Sequence, residues 1–77
     1  MNTSKELEHI YKQSLEQNII EDLSVKKHIE LRLAAEIYYK SKLAIQIGTG
    51  EYGIQYLDYH VLADDLIDNE SELFLSH

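Results

Sequence analysis

Leu7, Tyr11, Leu15 and Ile19 recur every four residues, with Ile10 and Leu23 beside them. That period predicts an amphipathic helix over about 4–22. Thr3 followed by Glu6 is a capping-box pattern at its start. Ser24 is an acceptable N-cap for a second helix over about 25–47. The apolar positions of this segment form two stripes. One carries Val25, Ile29, Leu33, Ile37, Leu43, Ala44 and Ile47, and the other Leu31, Ala34, Ala35, Tyr38 and Ile45. A helix apolar on two sides is expected to lie between two neighbours or against a copy of itself. Lys40 and Lys42 suit its negative end, and Gly48 its stop.

The glycines of 48–53 predict a turn, followed by a third helix over about 54–69. Tyr56, Tyr59, Ala63, Leu66 and Ile67 share one of its faces. Asn69 with Glu72 is positioned to cap a last short turn carrying Leu73 and Phe74. The expected fold is all-α, a single three-helix domain spanning 1–77. The alternative is α+β with a hairpin around 43–59, because Leu43-Ala44-Ile45-Gln46-Ile47 also alternates as a strand does.

With 77 residues, no cysteine and no proline, the chain has a thin core and no disulfide or thiolate metal site to reinforce it. No apolar run reaches the roughly 18–20 residues that span a bilayer. The Met1-Asn2-Thr3-Ser4-Lys5-Glu6 start lacks the order of a secretion signal. The expected setting is cytoplasmic, with no membrane contact.

Net charge is −7, and its placement matters more than its size. Residues 1–47 balance seven basic against seven acidic groups, whereas 48–77 hold Glu51, Asp58, Asp64, Asp65, Asp68, Glu70 and Glu72 and neither Lys nor Arg. A chain with this balance is a poor phosphate binder. The basic residues of the second helix also scatter around its axis instead of forming a stripe. Direct contact with nucleic acid is therefore not expected.

Several chemical motifs fail on context. Gly48-Thr49-Gly50-Glu51-Tyr52-Gly53 fits G-x-G-x-x-G, the pattern of dinucleotide-binding turns, and resembles the glycine-rich loop of protein kinases. Too little chain follows for a βαβ unit, and no lysine follows Lys42. His60, Asp64 and Asp68 recur one turn apart, and Glu6 with His9 forms a lone Glu-x-x-His. Neither supplies the converging ligands from several elements that a metal needs. No serine lies in a nucleophile motif. The expectation is a protein without enzymatic activity, cofactor or metal.

Two features remain. Asp64, Asp65 and Asp68 crowd the C-terminal half of the third helix, where the dipole and their mutual repulsion disfavour them. Five of six tyrosines fall between Tyr38 and Tyr59, and tyrosine is a common interface anchor. Together they point to a small acidic module that binds a protein with a basic surface through Tyr52, Tyr56, Tyr59, Asp58, Asp64, Asp65 and Asp68. Carboxylates arrayed in this way stand in for phosphates in a nucleic-acid-binding groove. The logic resembles that of acidic inhibitors such as nuclease immunity proteins and phage-encoded DNA mimics, as an analogy of composition. The alternative is a homo-oligomeric accessory subunit, such as a homodimer, joined through Leu31, Leu33, Ala35 and Tyr39 of the second helix.

Overall fold

The structure, a computed structural model, describes residues 3–75, with side chains at all of these except 3–5, 8, 51, 52 and 55. Four α-helices follow one another: α1 (Thr3–Lys27), α2 (Leu31–Lys40), α3 (Lys42–Thr49) and α4 (Tyr59–Asn69). A 3-10 turn, Glu51–Tyr56, precedes α4, and another, Ser71–Phe74, follows it. No strand occurs among the described residues, so the hairpin alternative around 43–59 is not supported. The all-α expectation holds, with four helices in place of three.

The first helix runs one turn past its expected end. Ser24 is not an N-cap: it lies inside α1, and its hydroxyl donates to the Ile29 carbonyl at 2.6 Å. The Ile29 N–H returns to the Ser24 carbonyl at 3.1 Å, and His28 between them is left-handed at φ 53°. This is the six-to-one closure of a helix stop that usually employs glycine. Lys26 and Lys27 in the last turn favour the negative end of the dipole.

The expected second helix breaks at Ser41. Its backbone is extended, at φ −81° and ψ 156°. Its hydroxyl donates to the Tyr38 carbonyl and accepts from the Ala44 N–H. Glu70, beyond the far end of α4, accepts from Lys42 N at 2.9 Å and Leu43 N at 3.3 Å. Three otherwise unpaired N–H groups at the start of α3 are thereby satisfied by side chains. The break cuts across both apolar stripes, and Leu43 and Ile47 of α3 enter the core. The central position expected of the second helix belongs instead to α1, which packs against both α2 and α4.

The next stop falls at Gly50 rather than Gly48. Gly50 is left-handed at φ 72°, and its N–H donates to the carbonyls of Gln46 and Ile47. Asp58 caps α4, accepting from His60 N at 2.8 Å. The third expected helix therefore starts five residues late. Asn69 does not cap the last turn; its amide donates to Asp65.

The core is Leu15, Ile19, Ile20 and Leu23 of α1, Ala34, Ile37 and Tyr38 of α2, Leu43 and Ile47 of α3, and Leu62, Ala63 and Leu66 of α4. The apolar stripe of α1 outruns this cover. Ile19 is fully buried and Leu15 is 6% exposed, whereas Leu7 on the same stripe is 63% exposed.

Candidate partner interface

Two grooves flank α1, and no lysine or arginine among the described residues lines either. The first lies along the seam between α1 and the chain entering α4. Tyr11, Ser14, Leu15 and Asn18 form one wall, and Tyr56, Leu57, Asp58 and Tyr59 the other, around a space of about 410 Å³. The exposed Tyr56 ring sits 5.9 Å from that of Tyr11, tilted by 41°. Tyr59 is half-buried, with its ring 4.1 Å from the His60 imidazole. Past Tyr59 the seam continues as a smaller recess walled by Asn18, Glu21, Asp22 and Val25. Aromatic rings of this kind offer broad contact area at low entropic cost, with a polar tip for hydrogen bonding.

A charge cluster closes the far end of the seam. Lys26 on α1 lies 2.8 Å from Asp22 on its own helix and 2.6 Å from Asp64 on α4. His60 Nδ1 stands 3.3 Å from the other Asp22 oxygen. The Asp22 side chain is only 10% exposed. Its Oδ2 accepts no hydrogen bond of ordinary geometry, so the Lys26 ammonium is what compensates it. The Asp22 carboxylate beside it, then that of Asp64, holds the Lys26 pKa above its ordinary value.

These positions sort the residues expected to meet a partner. Tyr56, Tyr59 and Asp58 come together on the seam. The Tyr52 side chain lies outside the described residues. Asp64, Asp65 and Asp68 are exposed on the outer face of α4, but their surroundings differ. Asp64 is paired with Lys26, and Asp65 accepts from Asn69. Asp68 has no side-chain partner among the described residues. Part of the apparent conflict between these acids and the helix dipole is therefore resolved inside the fold. Tyr11 is the seam residue that the sequence pattern assigns to the core. It becomes surface because the stripe it belongs to extends past the helices that cover Leu15 and Ile19.

The second groove lies between α1 and α2 and encloses about 560 Å³. Gln13, Glu16, Gln17, Ile20 and Glu21 face Leu31, Ala35 and Tyr39 across it. Three of the four residues expected at an oligomer interface thus line one surface. Leu33 does not; it is half-buried against the core. Beneath this groove the buried Tyr38 hydroxyl donates to Glu16 Oε2 at 2.7 Å. Burial, followed by that bond to a carboxylate, pushes the phenol pKa up.

No three His, Asp or Glu side chains among the described residues converge as metal ligands do. Gly50 and the 3-10 turn that contains Gly53 give the glycine motif a local role in stopping α3 and redirecting the chain. No helix of the described residues is long and apolar enough to cross a membrane. Neither a known protein family, nor a curated protein, nor a solved structure matches the chain, so the reading of these surfaces rests on their own residues.

Proposed function

We propose that this protein is a small acidic binding module that engages a basic protein surface through the tyrosine-walled seam between α1 and α4. One observation carries the reading. Tyr11, Tyr56 and Tyr59 line a single cleft together with Asp58, and it continues past Tyr59 to Glu21 and to Asp22, which Lys26 and His60 face at the far end. A partner arginine or lysine gains a ring face and a carboxylate at one place. The aliphatic stem of that side chain gains the apolar surface of Leu57. Asp65 and Asp68 on the outer face of α4 extend the negative field and speed encounter by steering. A target whose basic groove normally holds nucleic acid fits this chemistry, which makes the module an antagonist or regulator of such a protein. Binding, not catalysis, is the role in this reading.

The test uses an oligoarginine peptide as probe, with calorimetry on the full chain at low and high salt. The expected result is a salt-weakened complex that Tyr11→Ala/Tyr56→Ala weakens at least fivefold, although that variant leaves every charge in place. Equal binding by wild type and variant means that the peptide reads net charge alone, and the seam is then not the site.

A further inference from the structure

We infer that the groove between α1 and α2 receives an amphipathic basic helix of a partner protein, with its apolar face inward and lysine or arginine along its edges. This surface is separate from the seam, and its argument does not depend on that reading. Leu31, Ala35 and Tyr39 recur at four-residue spacing and form one stripe along α2. Leu31 is 53% exposed and Tyr39 64% exposed, so two large apolar side chains flank a small one with open space before them. The stripe rises about 12 Å, just over two turns of helix. Ile20 of α1 adds apolar surface from the other wall. A groove of this kind between two helices takes the apolar residues of a third at matching spacing.

Charge decides what covers the stripe. The α1 wall carries Glu16 and Glu21 with Gln13 and Gln17, and no lysine or arginine among the described residues lines the groove. Glu16 is held in place from below: the fully buried Tyr38 donates its hydroxyl to Oε2 at 2.7 Å. A carboxylate accepts several hydrogen bonds at once, so Glu16 keeps capacity for an ammonium or guanidinium. On the opposite wall the Tyr39 ring, 5.1 Å from Tyr38 and edge-on to it, offers aromatic surface to which a cation is also attracted. Arg32 does not line the groove, and Glu36 one turn on balances its charge. A second copy of this chain sets carboxylates against carboxylates, and an acidic helix is repelled in the same way. A purely cationic segment leaves Leu31 and Tyr39 uncovered. A helix with an apolar stripe and basic edges satisfies both walls.

The test titrates the full chain with a peptide of about 15 residues, long enough to form a helix, with leucine at three- and four-residue spacing and lysine elsewhere. Backbone-amide NMR locates the contact, and circular dichroism confirms that each variant is folded. The largest shifts are expected on Gln13, Gln17 and Ile20 of α1 and on Leu31 through Tyr39. Tyr39→Ala is expected to weaken binding about fivefold at any salt. Gln17→Lys, which adds a cation to this groove alone, should weaken it about fivefold at low salt and less at high salt. Tyr11→Ala/Tyr56→Ala, which alters only the seam, should leave these shifts unchanged, so failure here is distinct from failure of the seam reading. A peptide of the same composition in scrambled order that binds equally well overturns the proposal, because charge alone then explains the contact. So does an absence of shifts in the groove, or a complex indifferent to both Tyr39→Ala and Gln17→Lys. Shifts at the same amides that follow protein concentration without peptide would assign the groove to a second copy and overturn it too.

Discussion

The two junctions that α1 makes are built from different chemistry. Against α2 it packs apolar side chains and adds one polar contact, the buried Tyr38 hydroxyl on Glu16. Against α4 it packs apolar side chains beneath a rim of charge, where Lys26 joins Asp22 to Asp64 and His60 faces Asp22. The first junction is held chiefly by burial and resists salt. The second carries an electrostatic component on its surface, and ionic strength reaches it. The same contrast extends to the open ground beside each. The groove over α2 sets the apolar Leu31, Ala35 and Tyr39 against Glu16 and Glu21. The seam beside α4 offers tyrosine and carboxylate.

The largest predicted effects show what the junctions share. Ile37→Ala on the α2 side and Leu66→Ala on the α4 side each remove a side chain at most 1% exposed. Each is expected to cost about 2–5 kcal/mol of unfolding free energy, measured by denaturant titration. Near-equal losses mean that the apolar base is common to both. A small loss at Leu66 alone would mean that α4 is held by its rim.

Glu70→Ala comes next. Removing the carboxylate that accepts from Lys42 and Leu43 is expected to cost about 0.5–2 kcal/mol, the usual range for a lost cap. Glu70→Gln keeps one acceptor and should recover part of it. Loss of amide protection at the start of α3 in hydrogen exchange is the local readout.

Tyr38→Phe sharpens the comparison through pH. Both Tyr38 and Lys26 have pKa values raised by folding, from ordinary values of 10.0 and 10.5. The folded chain therefore keeps protons that the unfolded chain releases. Their contribution is complete below about pH 10 and is lost as pH rises toward the folded values. Wild type should lose stability on the alkaline side. At neutral pH the Phe variant should be weaker by about 1–2 kcal/mol, the worth of a hydrogen bond to a charged group part-open to water. Above pH 10 its decline should be shallower, because one of the two linked protons is gone.

The smallest effect is at the rim. Lys26→Met should cost no more than about 1 kcal/mol, and the difference from wild type should shrink in high salt, since the pair is partly exposed and screened. A loss that is indifferent to salt would place the value of Lys26 in packing by its aliphatic stem.

The sequence carried the helical class, the apolar face of α1 from Leu15 to Leu23, and the end of α4 near Asn69. These follow from local periodicity. The break at Ser41 was not legible, because no glycine or proline marks it and half of its capping comes from Glu70, distant in the chain. The stop at His28 was hidden for a related reason: a left-handed histidine has no signature comparable to glycine. Asp58, Tyr56 and Tyr59 lie near one another because they share a short segment. Tyr11 was not included with them. A stripe of evenly spaced apolar residues does not show where its cover ends, and that end is set by the lengths of α2 and α4.

The proposed seating of basic side chains on the seam can be read residue by residue from backbone-amide NMR during titration with an oligoarginine peptide. The largest shifts are expected on Tyr11, Ser14 and Asn18 of α1 and on Tyr56 through Tyr59, and they should diminish at high salt. Shifts confined to Asp65 and Asp68 on the outer face of α4, or centred on Leu31 through Tyr39, would contradict it.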